Sequence, residues 1–429
     1  MEERSTLNSN EFLAEQIKKR PVNKWKVIRK ILEVAMLAVL FGVVSSVTML
    51  TVAPILEKRL FPAPAPEVNE VVFMEESAAY TSEEVMPEDM LLEEEKIVNG
   101  TTEHVDREQQ MLEFAEILQQ KAESCKSWLV KVSGAFSETS WLASTRTKAN
   151  VAMGAIIADN GAEILILVEQ KGMATADSIT VTFPDGAVLP ATIKGKDEVS
   201  GLMVIAVNKE GMGVNTLQSF QIAELASSNN KAILGSIVLA LGSPNGVLES
   251  VGYGIVTTMG MEINNWDINY KMMMTDMYGS TNQEGFLVNM KGEILGIICD
   301  DYNTTDIRSV ISAIGISELK GTIQLMSNAE AIPSLGIMGT DVTRQANKEH
   351  GIPYGAYVTD VKINEPAMKA GIQAGDVIVS LNKKDLLSMN MFCNYLQQLE
   401  AGNTIQMIIK RQSMGEYKEI ELELTLGSK

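Results

Sequence analysis

The chain has 429 residues, a hydrophobic content of 45% and a formal net charge of −19. This length allows two or three domains that each bury a core, and the acidic balance argues against nucleic acid as a partner. The three cysteines, Cys125, Cys299 and Cys393, are widely spaced and odd in number, so they predict neither a disulfide framework nor a zinc site. We interpret them as small core residues, and we expect no metal and no cofactor.

The N-terminal segment has the pattern of a membrane anchor. Residues 1–33 contain a basic run, and residues 34–56 contain no charged side chain. Because roughly 20 apolar residues span a bilayer as a helix, we expect a transmembrane helix over 34–56. The basic flank predicts a cytoplasmic tail over 1–33 and an extracytoplasmic location for the bulk of the chain. A cleavable signal peptide is the alternative, which the long apolar run and the prolines at 62, 64 and 66 disfavour.

Residues 57–106 are predicted to be an acidic disordered linker. Between positions 67 and 95 the sequence has eleven acidic residues and no basic one. Such a segment repels itself and buries too little apolar surface to offset its ordering entropy. Residues 107–123 then repeat apolar positions at helical spacing, which predicts a short amphipathic helix.

From residue 126 to about 308 the pattern changes to short apolar runs separated by turns. Many evenly spaced strands without intervening helices indicate a mainly β protein, either a barrel or a sandwich. We interpret the methionine run at 272–274 as core strand and residues 309–328 as a closing helix. The predicted strands cover 128–132, 151–157, 164–168, 179–183, 202–207, 236–241, 253–256, 285–289 and 294–298.

The segment 275–298 resembles the nucleophile loop of the HtrA/Deg family of trypsin-like serine proteases. That family has a Thr-Asp pair, then Gly-Asn-Ser-Gly-Gly and an apolar strand, and here Thr275-Asp276 and Gly285-x-Leu287-x-Asn289 are present. Segments 154–158, 176–181, 241–246 and 252–257 resemble other motifs of the family in the same order. The resemblance implies a trypsin-like domain over 107–328, made of two six-stranded β-barrels with a cleft between them.

The triad positions implied by the resemblance do not hold triad residues. Acyl transfer needs a nucleophile, a base and an orienting acid. The aligned positions hold Gln283, Lys171 and Gly201 respectively, and Glu284 replaces the first glycine after the serine. The loop is also one residue short, which should disturb an oxyanion hole.

No other residue fills the missing roles by position. A shift of two residues would bring Glu169, not a histidine, to the base position. The two histidines, His104 and His350, lie in the linker and in the C-terminal region. We therefore expect no catalytic residues, and we expect a pseudoprotease.

From residue 333 the sequence resembles the PDZ domain of the same family, which we place over 329–429. The runs 355–358, 366–372 and 375–378 carry the resemblance, and a helix over 389–399 and a strand over 405–411 follow. Such a domain binds a peptide by strand addition and holds its terminal carboxylate with backbone N–H groups. The predicted peptide-binding residues are Leu335, Gly336, Ile337, Met389, Phe392 and Leu396.

These features together predict an inactive, membrane-anchored HtrA-like protein that binds peptides or C-termini of extracytoplasmic proteins, as a scaffold or a protein-quality sensor. The alternative is an active membrane-bound serine endopeptidase with a non-standard site, such as a dyad of Ser280 or Thr281 with Lys171. A third hypothesis treats the barrels as an oligomerisation platform for the PDZ domain. The resemblance also implies a homo-oligomer, with a trimer as the family's form.

Overall fold

The computed structural model of the chain describes positions 25, 29, 32 and 35–40 and residues 68–73, 107–140, 143–303 and 309–429. Residues 1–66 and 67–429 are two separate compact units. In the first unit the described positions are helical. The predicted membrane segment 34–56 lies outside the described residues except at 35–40. Among the described residues, no helix combines the length and the apolar character that a membrane span requires.

Helix α1 (Arg107–Cys125) leads into two closed β-barrels of six antiparallel strands each. The first barrel consists of β1 (Leu129–Ser140), β2 (Ala143–Asp159), β3 (Glu163–Glu169), β4 (Ser178–Thr182), β5 (Val188–Asp197) and β6 (Leu202–Asn208). The second consists of β7 (Ile237–Ser243), β8 (Ser250–Asn265), β9 (Ile268–Tyr278), β10 (Glu284–Asn289), β11 (Ile294–Ile298) and β12 (Val310–Gly315). Their strand orders are β1-β2-β3-β6-β5-β4 and β10-β11-β12-β9-β8-β7. The predicted pair of six-stranded barrels and the helix before it are confirmed.

The barrels share one hydrophobic cluster, which fixes their relative position. It runs from Ala122 near the end of α1 through both barrels to Ile332. Within it, the rings of Trp128 and Phe286 meet edge to face, with 5.8 Å between their centroids. This contact joins the start of the first barrel to β10 of the second, so any cleft between the barrels has rigid walls.

Two strand predictions need correction. Strand β5 was missed because its side chains are exposed or half-buried along most of its length and give no apolar run. Residues 309–328 are not one helix, because strand β12 comes first and helix α3 (Ile316–Ser327) follows. The run Val-Ile-Ser-Ala-Ile pairs with β11 on one side and β9 on the other, so barrel closure decides its conformation. The methionine run at 272–274 lies in β9, as predicted.

The C-terminal part is a second domain with its own core. It consists of β13 (Pro333–Ser334), β14 (Ile337–Asp341), β15 (Ala356–Val361), β16 (Val377–Leu381), β17 (Lys384–Asp385), β18 (Thr404–Ser413), β19 (Glu416–Thr425) and β20 (Gly427–Ser428). The sheet order is β14-β15-β16-β18-β19, with β17 on β16 and a separate β13–β20 pair. Further α-helices in residues 107–429 are α2 (Val214–Ser219) after the first barrel and, in this domain, α4 (Arg344–His350), α5 (Pro366–Lys369) and α6 (Met389–Leu396).

A short piece of the predicted linker, residues 68–73, lies against the barrels. The Asn328 side chain accepts from the Val71 N–H at 3.0 Å and donates to the Val71 carbonyl at 3.0 Å. The Phe73 N–H donates to Gln324 Oε1 at 3.0 Å. Val71 and Phe73 also pack on the hydrophobic cluster of the barrels. We call residues 68–73 the docked segment, because side-chain amides around the end of α3 satisfy its backbone.

We predict that Asn328→Ala releases the docked segment, since it removes both hydrogen bonds to the Val71 backbone. The loss should cost about 1–2 kcal/mol of local stability. Hydrogen exchange followed by mass spectrometry should show faster exchange at 69–73 without faster exchange in β7 or β10. The exposed Asn282→Ala is the matched control and should leave this region unchanged. Unaltered exchange in Asn328→Ala would show that apolar packing alone holds the segment.

Candidate functional site

A cavity of about 440 Å³ lies between the two barrels, where the resemblance places a protease cleft. The first barrel contributes residues from 169–175 and 198–202 to its wall. The second barrel contributes Ile297, Cys299, Asp301 and Ile314. Of the three aligned triad positions, Lys171 and Gly201 line this cavity and Gln283 does not.

Gln283, at the aligned nucleophile position, is a buried structural residue. Its side chain is 2% exposed, and its Nε2 donates to the Val310 carbonyl at 3.0 Å. This bond ties the turn before β10 to the start of β12. A carboxamide is not a nucleophile, and this one is bound to backbone away from the cavity.

Lys171 and Gly201 have ordinary local environments. The Lys171 side chain is 64% exposed, and its ammonium lies 4.0 Å from the carboxylate of Asp300. Gly201 has a φ of 69°, and its carbonyl accepts from the Gln170 N–H at 2.7 Å. The left-handed backbone at this turn favours glycine. Glycine has no side chain that could orient a base.

Two carboxyl groups, one from each barrel, lie close together where Glu169 lines the cavity. Glu169 ends β3 and Glu284 begins β10, and the two side chains lie close enough for each to influence the pKa of the other. Burial, followed by the repulsion of Glu284, raises the pKa of Glu169 to about 8, while Lys171 acts in the opposite direction. Burial also raises the pKa of Glu284. Ionising both of two adjacent carboxyl groups is unfavourable because their negative charges repel, so the pair retains a proton near neutral pH.

The other nucleophile candidates have the following surroundings. Burial raises the pKa of the Cys299 thiol to about 12, so it stays protonated and unreactive. Ser280 does not line the cavity, and its Oγ accepts from the Asn282 N–H at 3.1 Å. Thr281 is exposed, His350 is exposed at the end of α4, and His104 lies outside the described residues. Within the part of the chain that is described, no group of three His, Cys, Asp or Glu side chains is arranged to hold a metal ion.

The second candidate site is the loop Leu335–Ile337. The N–H groups of Leu335, Gly336 and Ile337 all donate to a carboxylate, at 2.9–3.0 Å. The carboxylate belongs to Asp267, in the turn between β8 and β9 of the second barrel. Burial raises the pKa of Asp267, while the ammonium of Lys429 and the three N–H groups oppose that rise.

The other predicted peptide-binding residues are core residues of the C-terminal domain. Met389, Phe392 and Leu396 on helix α6 are at most 1% exposed. They pack in the same cluster as Leu335 and Ile337, so they support the loop from behind. No local sequence pattern pointed to Asp267, because it lies 68 to 70 residues before its partners in the chain.

Comparison with known proteins agrees with both domains. The PDZ domain family matches residues 333–424. The chain is 28% identical over 286 residues to the periplasmic serine endoprotease DegP of Salmonella typhimurium. It is 26% identical over 268 residues to the serine endoprotease DegS of Haemophilus influenzae.

This chain is a relative of the HtrA-type serine proteases that carry a PDZ domain. The match covers 65% of the chain and 58% of the DegP sequence, and 61% of the chain and 74% of the DegS sequence. The solved structure of the HtrA-type protease AlgW with a decapeptide superposes with a TM-score of 0.52 at 19% identity. It covers 72% of this chain and 98% of the AlgW chain, which confirms the predicted trypsin-like double barrel followed by a PDZ domain.

The Glu169–Glu284 pair predicts a pH-dependent stability in this HtrA relative. The pKa of Glu169 is about 8 in the folded chain against an ordinary 4.5, so the folded state holds more protons between these values. The free energy of unfolding should therefore fall as pH rises through this window, by at most about 1.4 kcal/mol per pH unit. Glu169→Gln should flatten the slope and be the more stable form near pH 8, as measured by urea unfolding across the window.

Glu198→Gln is the matched control for this measurement. Glu198 lines the same cavity, but its side chain is 82% exposed. Its substitution should keep the wild-type slope. An equal slope in Glu169→Gln and wild type would show that Glu169 ionises as an ordinary carboxylate.

Proposed function

We propose that this chain is a catalytically inactive HtrA-type protein that binds the C-termini of extracytoplasmic proteins through its PDZ domain. It would act as a scaffold or as a sensor of protein quality in the cell envelope. The observation that carries the proposal is the convergence of three backbone N–H groups, at residues 335–337, on one carboxylate. A terminal carboxylate has the same two oxygens and the same charge.

The proposed organisation follows the sequence. A cytoplasmic tail (1–33), a membrane helix (34–56) and an acidic linker (57–106) would present the barrel domain (107–328) and the PDZ domain (329–429) outside the membrane. The uncharged run with its basic flank supports the anchor. The periplasmic location in the name of the Salmonella relative supports the extracytoplasmic side. Membership of the HtrA group supports a homo-oligomer.

The loss of proteolysis is proposed from the cleft. The aligned positions hold a buried amide, an exposed lysine and a glycine. The acid pair Glu169 and Glu284 retains a proton near neutral pH, and Gln283 at the aligned nucleophile position offers it no hydroxyl or thiolate to activate. A protease with no nucleophile retains only the small rate that binding and an oxyanion hole supply.

We predict that peptides with a free C-terminus bind this chain and that amidating the terminus weakens binding about tenfold or more, since charge-assisted hydrogen bonds are lost. Titration calorimetry with matched free and amidated apolar-ended peptides measures the difference. Gly336→Val should remove binding, because Gly336 has a φ of 81° and an added Cβ would collide with Glu365. Equal affinity for both peptide forms would remove the carboxylate loop from the proposed function.

We also predict that the chain neither labels with a fluorophosphonate probe nor degrades casein. Replacing positions 283, 171 and 201 together with Ser, His and Asp should restore little activity. Residue 284 would still be a half-buried glutamate where the resemblance places a glycine. Labelling of the unmodified chain that disappears in Ser280→Ala would favour the active endopeptidase instead.

A further inference from the structure

The carboxylate in the PDZ loop comes from the chain itself. Both Asp267 oxygens are used: Oδ2 accepts from Leu335 at 3.0 Å, Oδ1 accepts from Ile337 at 3.0 Å, and both lie 2.9 Å from the Gly336 nitrogen. The Asp267 residue is 3% exposed. The hydrogen-bonding capacity of the loop is therefore occupied when no peptide is present.

The contact extends along the edge strand as a bound peptide would. The Asp267 N–H donates to the Ile337 carbonyl at 2.8 Å, and Asn269 Nδ2 donates to the Gly339 carbonyl at 3.1 Å. These are alternate carbonyls of β14, which is the spacing of strand addition. On the opposite side, helix α6 packs against β9. The turn thus lies between β14 and α6, where a PDZ domain places its ligand.

The turn is preformed for this role. Asp267 has a φ of 61°, a left-handed conformation that aspartate tolerates better than most residues. The Trp266 N–H donates to Asn265 Oδ1 at 2.8 Å, and Lys429 Nζ donates to the Trp266 carbonyl at 2.9 Å. The carboxylate therefore enters the loop on a rigid β-hairpin and loses little conformational entropy on docking.

We propose that Asp267 is an internal ligand that closes the PDZ carboxylate loop, so that an incoming C-terminus binds only by displacing it. This inference rests on the proposed peptide-binding function of the same loop. The apparent affinity of a peptide then equals its intrinsic affinity for the open loop multiplied by the fraction of molecules whose loop is open. The site is selective for ligands that replace all of the hydrogen bonds of Asp267, because an empty loop leaves buried N–H groups without partners.

The test compares Asp267→Asn with Glu262→Gln in the full chain. Asparagine has nearly the same shape as aspartate and tolerates the left-handed backbone. It has no negative charge, and its NH2 group cannot accept hydrogen bonds from the backbone N–H groups. Glu262 is the matched control, since it is an exposed acid on β8 of the same hairpin. Asp267→Gly is a second variant that permits the same φ and removes the carboxylate altogether.

The first measurement needs no peptide. Hydrogen exchange at 335–337 should accelerate about tenfold or more in both Asp267 variants, since charge-assisted bonds are lost, and should match wild type in Glu262→Gln. Thermal unfolding checks that the barrels and the PDZ domain remain folded. Unchanged exchange at 335–337 in the folded Asp267 variants overturns the internal ligand.

The second measurement titrates an apolar-ended peptide and its amidated form into each variant. Displacement predicts that the free-carboxylate peptide binds the Asp267 variants about tenfold or more tightly than wild type or Glu262→Gln, because the competing contact is weakened. Equal affinity in wild type and both Asp267 variants overturns displacement but leaves the proposed function standing. Faster exchange at 335–337 without peptide binding in any variant supports the internal ligand and overturns the proposed function.

Discussion

The carboxylate of Asp267 and the three N–H groups of residues 335–337 join the two folded halves of the chain. A buried carboxylate is costly unless hydrogen bonds replace its hydration, and here backbone donors supply them on both oxygens. The same bonds satisfy a loop that would otherwise bury unpaired donors. The carboxylate and the loop N–H groups therefore satisfy each other's hydrogen bonding. This contact helps to set the orientation of the PDZ domain on the second barrel.

The two barrels close although the aligned triad positions hold other residues. The strand orders close both barrels, and the Trp128–Phe286 contact holds them together with no contribution from the triad positions. Gln283 braces its turn against β12 instead of facing the cleft. Glu169 lines the cleft and lies near Glu284, and burial raises the pKa values of both carboxyl groups. The fold therefore depends on side chains other than those at the aligned triad positions.

Much of the architecture could be predicted from the sequence, and particular elements show which parts could not. Buried strands such as β3 and β11 have continuous apolar runs, so their periodicity identified them. Strand β5 was missed because its side chains are mostly half-buried or exposed, and β12 was merged with α3 because short apolar runs suit both conformations. Glu169 was considered only through a shift in register, whereas the fold brings it against Glu284 across the cleft.

The sequence by itself determined most of the strand pattern, the PDZ loop and the residues at the aligned triad positions, because each depends on residue identity at local spacing. It also determined the uncharged run at 34–56. Only the tertiary structure decided that 68–73 docks beside α3, that two acids share the cleft and that Asp267 fills the PDZ loop. These contacts join residues far apart in the chain, and no local periodicity encodes a pairing that arises only when the barrels and the PDZ sheet have closed.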